Sequence, residues 1–254
     1  MTTVETTTNG QTTPMWQLLL GIIDRPAATF EAVLARRKWY MWAVPLLIVI
    51  LCFVVLTVIG APYGVEIAQQ QMERQFATMP PEQAEAARAS AETFTSLPFI
   101  LGMGLASGIV GLLVGVVAEA AVLYFGALVA GGEVDFGPVF TMSTWTRLPL
   151  AIGFLVQAGF MLIAQRTIQA PGLSALVATG DLMNDAQDPL FMLLRKVGPF
   201  WLWHLFLVVV GLAVAAHFSR KKSLVLTLVY AALSLAVAVI PVIPSLLFGG
   251  GAGG

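Results

Sequence analysis

Long hydrophobic runs alternate with shorter polar segments along the chain, and each run predicts a membrane-spanning helix. About 20 consecutive apolar residues are enough for a helix to cross the roughly 30 Å hydrocarbon core of a bilayer. Five runs are long enough to do so, near residues 41–62, 97–130, 148–165, 197–219 and 223–248. The pattern therefore predicts an all-α, polytopic membrane protein with five transmembrane helices.

Two polar segments flank the first run and predict structure outside the hydrocarbon core. Residues 15–38 carry two short apolar faces separated by Pro26, which is typical of a pair of amphipathic helices lying in the membrane interface. Residues 66–96 are hydrophilic, and the Pro80-Pro81 pair divides them into two helical pieces. We interpret this second segment as a solvated spacer, with a partner-docking arm as the alternative.

The remaining polar segments set the limits of the membrane domain. Residues 1–14 are Thr-rich and predict a disordered tail, and residues 249–254 form a Gly-rich tail. Residues 15–248 predict one membrane domain. Within it, the charged residues in 133–147 predict a short loop between the second and third spans.

The distribution of basic residues predicts the orientation. With five spans, the clusters at 36–38 and 220–222 fall on one side, which then holds eight Lys and Arg residues against five on the other. Because Lys and Arg are enriched in cytoplasmic loops, we expect the amino terminus in the cytoplasm and the carboxyl terminus outside.

The second run carries small residues at helical spacing together with its one charged residue. Steps of three, four and seven residues keep these positions on one face of an α-helix. Such a stripe lets another helix approach closely in a membrane. The predicted packing positions are Gly104, Gly108, Gly111, Gly115, Glu119 and Gly126.

Glu119 is the sharpest functional candidate, since an ionisable side chain at mid-membrane is costly and marks a functional hypothesis. One interpretation is a protonated or hydrogen-bonded acid that holds helices together, with Gln157 as its partner. Under that interpretation, Glu119→Gln leaves folding intact. The alternatives are a proton or ion relay and a contact to substrate. His204 also points inward, as an interhelical hydrogen-bond donor or, alternatively, a metal ligand.

The amino-acid composition excludes several kinds of function. The chain is 58% hydrophobic and 11% charged, against about 25% charged in soluble domains. A net charge of −1 gives no reason to expect nucleic acid, and the single cysteine, Cys52, excludes a disulfide framework. The sequence has no phosphate-binding glycine loop, zinc-protease motif or nucleophile elbow. We therefore predict no enzyme activity, no cofactor and no metal site.

Several loose motifs, taken in order, resemble the Yip-domain family of five-helix membrane proteins, and most closely its bacterial branch. The resemblance covers roughly residues 15–245. It rests on W-x-L-L-x-x-I-I-D-x-P-x-x-x-F at 16–30, the acidic loop with M-P-P-E-Q, G-G-E-V-D-F at 131–136, R-L-P-L at 147–150, F-W-L-W-H at 200–204 and S-R-K-K-S at 219–223.

The resemblance implies a non-enzymatic protein of a bacterial cytoplasmic membrane. Eukaryotic relatives assist vesicle traffic and bind Rab GTPases, and some bacterial relatives accompany ABC exporters. Two function hypotheses follow. The first is an accessory or scaffold protein that assembles with other membrane proteins or with itself in the lipid bilayer. The second is a small transporter or channel that uses Glu119 and His204.

Overall fold

The computed structural model describes residues 13–243, apart from the side chains of residues 89, 90, 182, 183 and 241. These residues form helices and connecting segments without a β-strand. The predicted tails, residues 1–14 and 249–254, lie outside the described residues except for positions 13 and 14. The α-helices of residues 13–243 are α1 Met15–Asp24, α2 Pro26–Leu34, α3 Tyr40–Phe76, α4 Pro81–Phe94, α5 Leu97–Val129, α6 Phe136–Thr146, α7 Leu148–Ala164, α8 Leu182–Gln187, α9 Pro189–Lys196, α10 Pro199–Ala215 and α11 Arg220–Val239.

The helices confirm an all-α, polytopic membrane protein. Four spans are long and apolar enough to cross a bilayer: α3, α5, α6 with α7, and α11. A fifth is the bent pair of α9 and α10.

Contacts at the helix ends give the direction of the spans. Arg37 before α3 lies 3.6 Å from Asp135 before α6, so these two helices begin at the same end of the bundle. Tyr63 in α3 donates to the Met161 carbonyl near the end of α7 (3.2 Å).

These contacts define two ends of the bundle. We call the end at which residues 36–38, 130–135 and 216–222 lie the basic end, since both basic clusters are there. Phe218 packs against Gly132 at this end. Successive spans run in alternating directions between the basic end and the opposite end.

The third span begins earlier than the sequence predicted, because residues 136–146 form helix α6 rather than a loop. Thr144 donates to the Thr141 carbonyl (2.7 Å), and Thr146 Oγ1 lies 2.9 Å from the Ser143 carbonyl, so both hydroxyls have partners within the helix. Hydroxyl side chains bonded in this way are compatible with a buried membrane helix. The polar composition of this segment thus concealed a span with its centre near Arg147.

The fourth and fifth spans also differ from their predicted limits. A bend of 63° separates α9 from α10, where Gly198 is extended and Pro199 lacks a backbone N–H for a continuous helix. The fifth span begins at Arg220 rather than at 223, since Ser219 accepts from the Lys222 amide and caps α11. Its helix ends at Val239, and a short 3₁₀ turn follows at Ile240–Val242. The predicted end at 248 lies outside the described residues.

The predicted amino-terminal pair of amphipathic helices is present as α1 and α2. One face of the pair packs into the bundle, and the other faces outward. Phe30 and Val33 of α2 are completely buried, and Phe30 approaches Gly211 of α10. Trp16 and Leu20 of α1 remain more than half exposed. The pair therefore packs against the bundle with one face and presents apolar side chains with the other.

The main core occupies the basic half of the molecule. It joins α1 and α2 to α6, α10 and parts of α5 and α11. Its largest fully buried side chain, Trp145, donates to the Met41 carbonyl of α3 (2.6 Å). The predicted arm at 66–96 has a separate small core, in which Ala84 and Ala91 of α4 pack on Phe76.

Candidate functional site

Four helices place polar side chains at the same depth inside the bundle. Glu119 lies ten residues before the end of α5, and Tyr230 ten residues after the start of α11. Arg147 lies eleven residues after the start of α6, and His204 eleven before the end of α10. At 1.5 Å per residue, each is about 15–17 Å from the basic end, half of a core about 30 Å thick. We call Glu119, Thr146, Arg147, His204 and Tyr230 the central polar cluster.

Glu119 is 1% exposed and receives donors on both carboxylate oxygens. Arg147 Nη2 lies 2.7 Å from Oε2, and Tyr230 donates to the same oxygen at 3.2 Å. Thr146 Oγ1 donates to Oε1 at 2.9 Å. A guanidinium and two hydroxyls form an environment of donors, which suits a carboxylate that only accepts hydrogen bonds.

Thr146 and Tyr230 also contact the two ring nitrogens of His204. Its Nδ1 lies 2.8 Å from the Thr146 carbonyl, and because a carbonyl only accepts, Nδ1 carries the proton in this contact. Nε2 lies 3.2 Å from the Tyr230 hydroxyl. Both ring nitrogens are therefore engaged, which favours the interhelical hydrogen-bonding role. Among the described residues, no group of three or more His, Cys, Asp or Glu side chains has the arrangement of a metal site.

Arg147 is the important residue that sequence reasoning missed. The sequence predicts a loop at this position, yet Arg147 is 9% exposed, and a glycine at 115 gives its guanidinium room. A Cβ added at Gly115 would lie 3.4 Å from Nη1. The available signal was the run of Ser and Thr before Arg147, which can hydrogen-bond within a helix.

Gln157 is not the partner of Glu119. The sequence predicts Gln157 near mid-span because the hydropathy pattern starts the third span at residue 148. Since the span begins at Phe136, Gln157 lies ten residues beyond Arg147, about 15 Å further toward the opposite end. The contacts of Glu119 among the described residues are with the central polar cluster.

The glycine stripe contacts several partners rather than one helix. Gly104 and Gly108 face Thr57 and the Phe53 ring of α3. Gly115 lies beside Arg147, and Gly126 packs against Leu226 of α11. Gly111 differs, because an added Cβ there would meet nothing within 4 Å. Along the stripe, Gly111 falls between the part covered by α3 and the part beside Arg147.

A crevice of about 280 Å³ leads from the bundle surface to the central polar cluster. It lies between α5, α10 and α11, beside the bend that separates α9 from α10. Apolar side chains form most of its wall, with Leu233 and Val237 of α11 about half exposed at its rim. Its polar lining consists of Glu119, Arg147, Lys196, His204, Tyr230 and Ser234.

The fold and the cluster together define a polytopic α-helical membrane protein with a paired charge at mid-membrane. The chain belongs to the Yip1 domain family, whose sequence model matches residues 20–242. This match confirms the Yip-domain family that the motifs indicated, and the bacterial branch stays a prediction. Neither the curated proteins nor the solved structures compared with the chain give a significant match.

Proposed function

We propose that this protein is a non-enzymatic accessory or scaffold protein that assembles with other membrane proteins or with itself. Its bilayer would be a bacterial cytoplasmic membrane, with the amino terminus inside and the carboxyl terminus outside. The excess of Lys and Arg at the basic end supports this orientation. The family resemblance favours an exporter or a trafficking-type assembly as the partner and gives no reason to expect nucleic acid.

The uncovered surface of α5 is the observation that carries this proposal. Only 6% of the residues in its most apolar stretch are buried, against 17–28% in the other single spans. Gly102 and Gly111 have no neighbour within 4 Å of an added Cβ. Small residues exposed on a membrane helix permit close approach of a second helix.

The pairing within the central polar cluster supports a structural role for Glu119. A relay group exchanges protons with a continuous path, whereas Glu119 is held by an ion pair and two hydroxyl donors. Such a cluster fixes the relative positions of α5, α6, α10 and α11. It would leave the rest of α5 as a stable platform for assembly.

A small transporter or channel is the second candidate, and the crevice is the observation that favours it. The crevice connects the bundle surface with Glu119 and His204, the two residues that a polar path would use. Flux of an ion or proton into liposomes that depends on Glu119 would support this candidate over the scaffold.

The first experiment is purification of the tagged protein from its native membranes in mild detergent, followed by identification of bound proteins. Gly111→Leu is the test variant, and Gly159→Leu in α7 is the matched control, because an added Cβ also meets open space at 159. We expect stoichiometric membrane subunits or a homo-oligomer with wild type and with the control. Gly111→Leu should lose them. A monomer without partners in every sample would contradict the proposal.

A further inference from the structure

The crevice contains more basic than acidic charge. Glu119 pairs with Arg147, and these two charges balance. Lys196 lines the same crevice, and its Nζ donates to the Ser234 carbonyl (2.7 Å), a neutral acceptor. Ser234 lies fourteen residues from the start of α11, about 21 Å from the basic end, so Lys196 is in the half of the bundle away from that end. Among the described residues that line it, the crevice therefore has one carboxylate, Glu119, against the two basic side chains of Arg147 and Lys196.

Arg147 also keeps unused hydrogen-bonding capacity. Of its guanidinium nitrogens, Nη2 is the one with a protein partner among the described residues. Nε is fully buried and has no hydrogen-bond partner among the described residues, so a ligand in the crevice reaches Arg147 at its Nη nitrogens, beside Gly115. A guanidinium has five N–H donors, and leaving donors unpaired in a low-dielectric interior is costly. An added acceptor next to Arg147 and Lys196 would satisfy donors that the protein leaves open.

The walls and the rim of the crevice indicate where such an acceptor comes from. Leu233 is 49% exposed and Val237 is 61% exposed, and both lie on the membrane-facing surface of α11. Val122 and Leu150 continue this apolar surface inward. A ligand that enters from the membrane therefore meets apolar side chains first and the basic side chains of Lys196 and Arg147 last. A lipid with an anionic headgroup has both an apolar part and a charged part to match these two surfaces.

We propose that the crevice binds a negatively charged phosphate group, with Lys196 and the free donors of Arg147 as its ligands. The geometry favours the headgroup of an anionic phospholipid from the leaflet at the opposite end of the bundle. The apolar rim side chains of Leu233 and Val237 contact the hydrocarbon part of that lipid. Free inorganic phosphate offers the same oxygens to the two basic side chains but makes no contact with the apolar rim.

The test is thermal unfolding of the full chain after delipidation in detergent, with three separate additions. These are mixed micelles containing phosphatidylglycerol, mixed micelles containing phosphatidylcholine, and inorganic phosphate. The test variant is Lys196→Gln, which keeps a hydrogen-bond donor for Ser234. Arg195→Gln is the matched control, because Arg195 is exposed and does not line the crevice.

We expect phosphatidylglycerol to raise the Tm of wild type and Arg195→Gln more than phosphatidylcholine does. Lys196→Gln should bind phosphatidylglycerol about tenfold more weakly, the effect of losing one charge-assisted contact. An equal, Lys196-dependent shift with inorganic phosphate would support the site and identify a free anion as its ligand. No shift with any addition, or the same shift in Lys196→Gln, would overturn the proposal.

A second variant tests the crevice independently, in case Lys196→Gln does not fold. Leu233→Trp enlarges an exposed rim side chain and should narrow the crevice without disturbing the core. Leu228→Trp is its control, at a similarly exposed position of α11 that does not line the crevice. Both variants should show the wild-type Tm without lipid. Loss of the phosphatidylglycerol shift in Leu233→Trp alone is expected, and retention of the shift there would count against the site.

Discussion

The two halves of α5 differ in how they are covered. Every buried residue of this helix lies between Val116 and Ala127, and the first half, from Leu97 to Val114, contributes none. The second half enters the main core and carries Glu119. The first half contacts α3 at Gly104 and Gly108 and α4 through the Phe94–Phe99 ring pair, while an added Cβ at Gly102 or Gly111 meets nothing within 4 Å. One continuous helix thus serves as an internal element at the basic end and as an external surface toward the other.

This difference teaches that the small-residue stripe has two separate uses. In the second half, the missing side chains make room for Arg147 and for Leu226 of α11. In the first half, Gly111 leaves a surface that nothing in the described chain fills. The predictions below perturb one half at a time and compare the results.

The largest effect is expected from Glu119→Gln. The substitution keeps the size of the side chain but leaves Arg147 as an unpaired charge at mid-membrane. Breaking one partner of a buried ion pair costs about 3–5 kcal/mol. Stability against denaturant in detergent should fall accordingly, and Glu119→Gln combined with Arg147→Gln should recover part of the loss. The sequence alone predicts instead that Glu119→Gln leaves folding intact. Wild-type stability of the single variant would support that earlier expectation and contradict the prediction made from the ion pair.

A smaller effect is expected when the second half is overpacked. Gly126→Leu adds a side chain where Leu226 already occupies the space. Extra carbon atoms in a filled site cost about 1–3 kcal/mol. The Tm of Gly126→Leu should drop, while Gly111→Leu in the first half should leave the Tm of the isolated protein unchanged. Equal losses in the two variants would mean that both halves are internal.

The smallest effect is expected from removing one hydroxyl from the central polar cluster. Thr146→Val removes the hydrogen bond to Glu119 Oε1, while the Thr146 carbonyl still accepts from His204. A hydrogen bond to a charged group contributes about 1.5–3 kcal/mol, but the remaining Arg147 and Tyr230 contacts should keep the loss near the lower value. Thr144→Val is the control, because its hydroxyl donates within α6, to the Thr141 carbonyl. A loss as large as that of Glu119→Gln would indicate that Thr146 also positions Arg147.

The sequence was sufficient for the five spans and the amphipathic pair because both depend on local hydropathy. It was also sufficient to single out Glu119, His204 and the glycine stripe, since one ionisable group among apolar neighbours is visible in any window. It failed at residues 133–147, where Ser, Thr and Arg lower the hydropathy of a true span. That local error moved the centre of the third span from Arg147 to Gln157 and led to the wrong partner for Glu119.

Other features depend on contacts between distant segments. Gly111 and Gly126 have the same residue type and the same helical face, yet one faces open space and the other faces Leu226. The bend before Pro199 brings Lys196 beside Ser234 of α11. Neither fact follows from spacing along one helix, because each depends on where another helix crosses it.

The most direct test of the difference between the two halves is cysteine cross-linking in native membranes. Replacing Cys52 with Ser removes the one cysteine of the chain. Two single-cysteine variants are then made in this background: Gly111→Cys in the first half of α5 and Phe125→Cys in the second half. Phe125 is 62% exposed, so its thiol is equally able to react. We predict cross-links to a second membrane protein or a second copy at position 111 and none at position 125. Cross-linking at 125 alone, or at neither position, would contradict the assignment of the first half as the assembly surface.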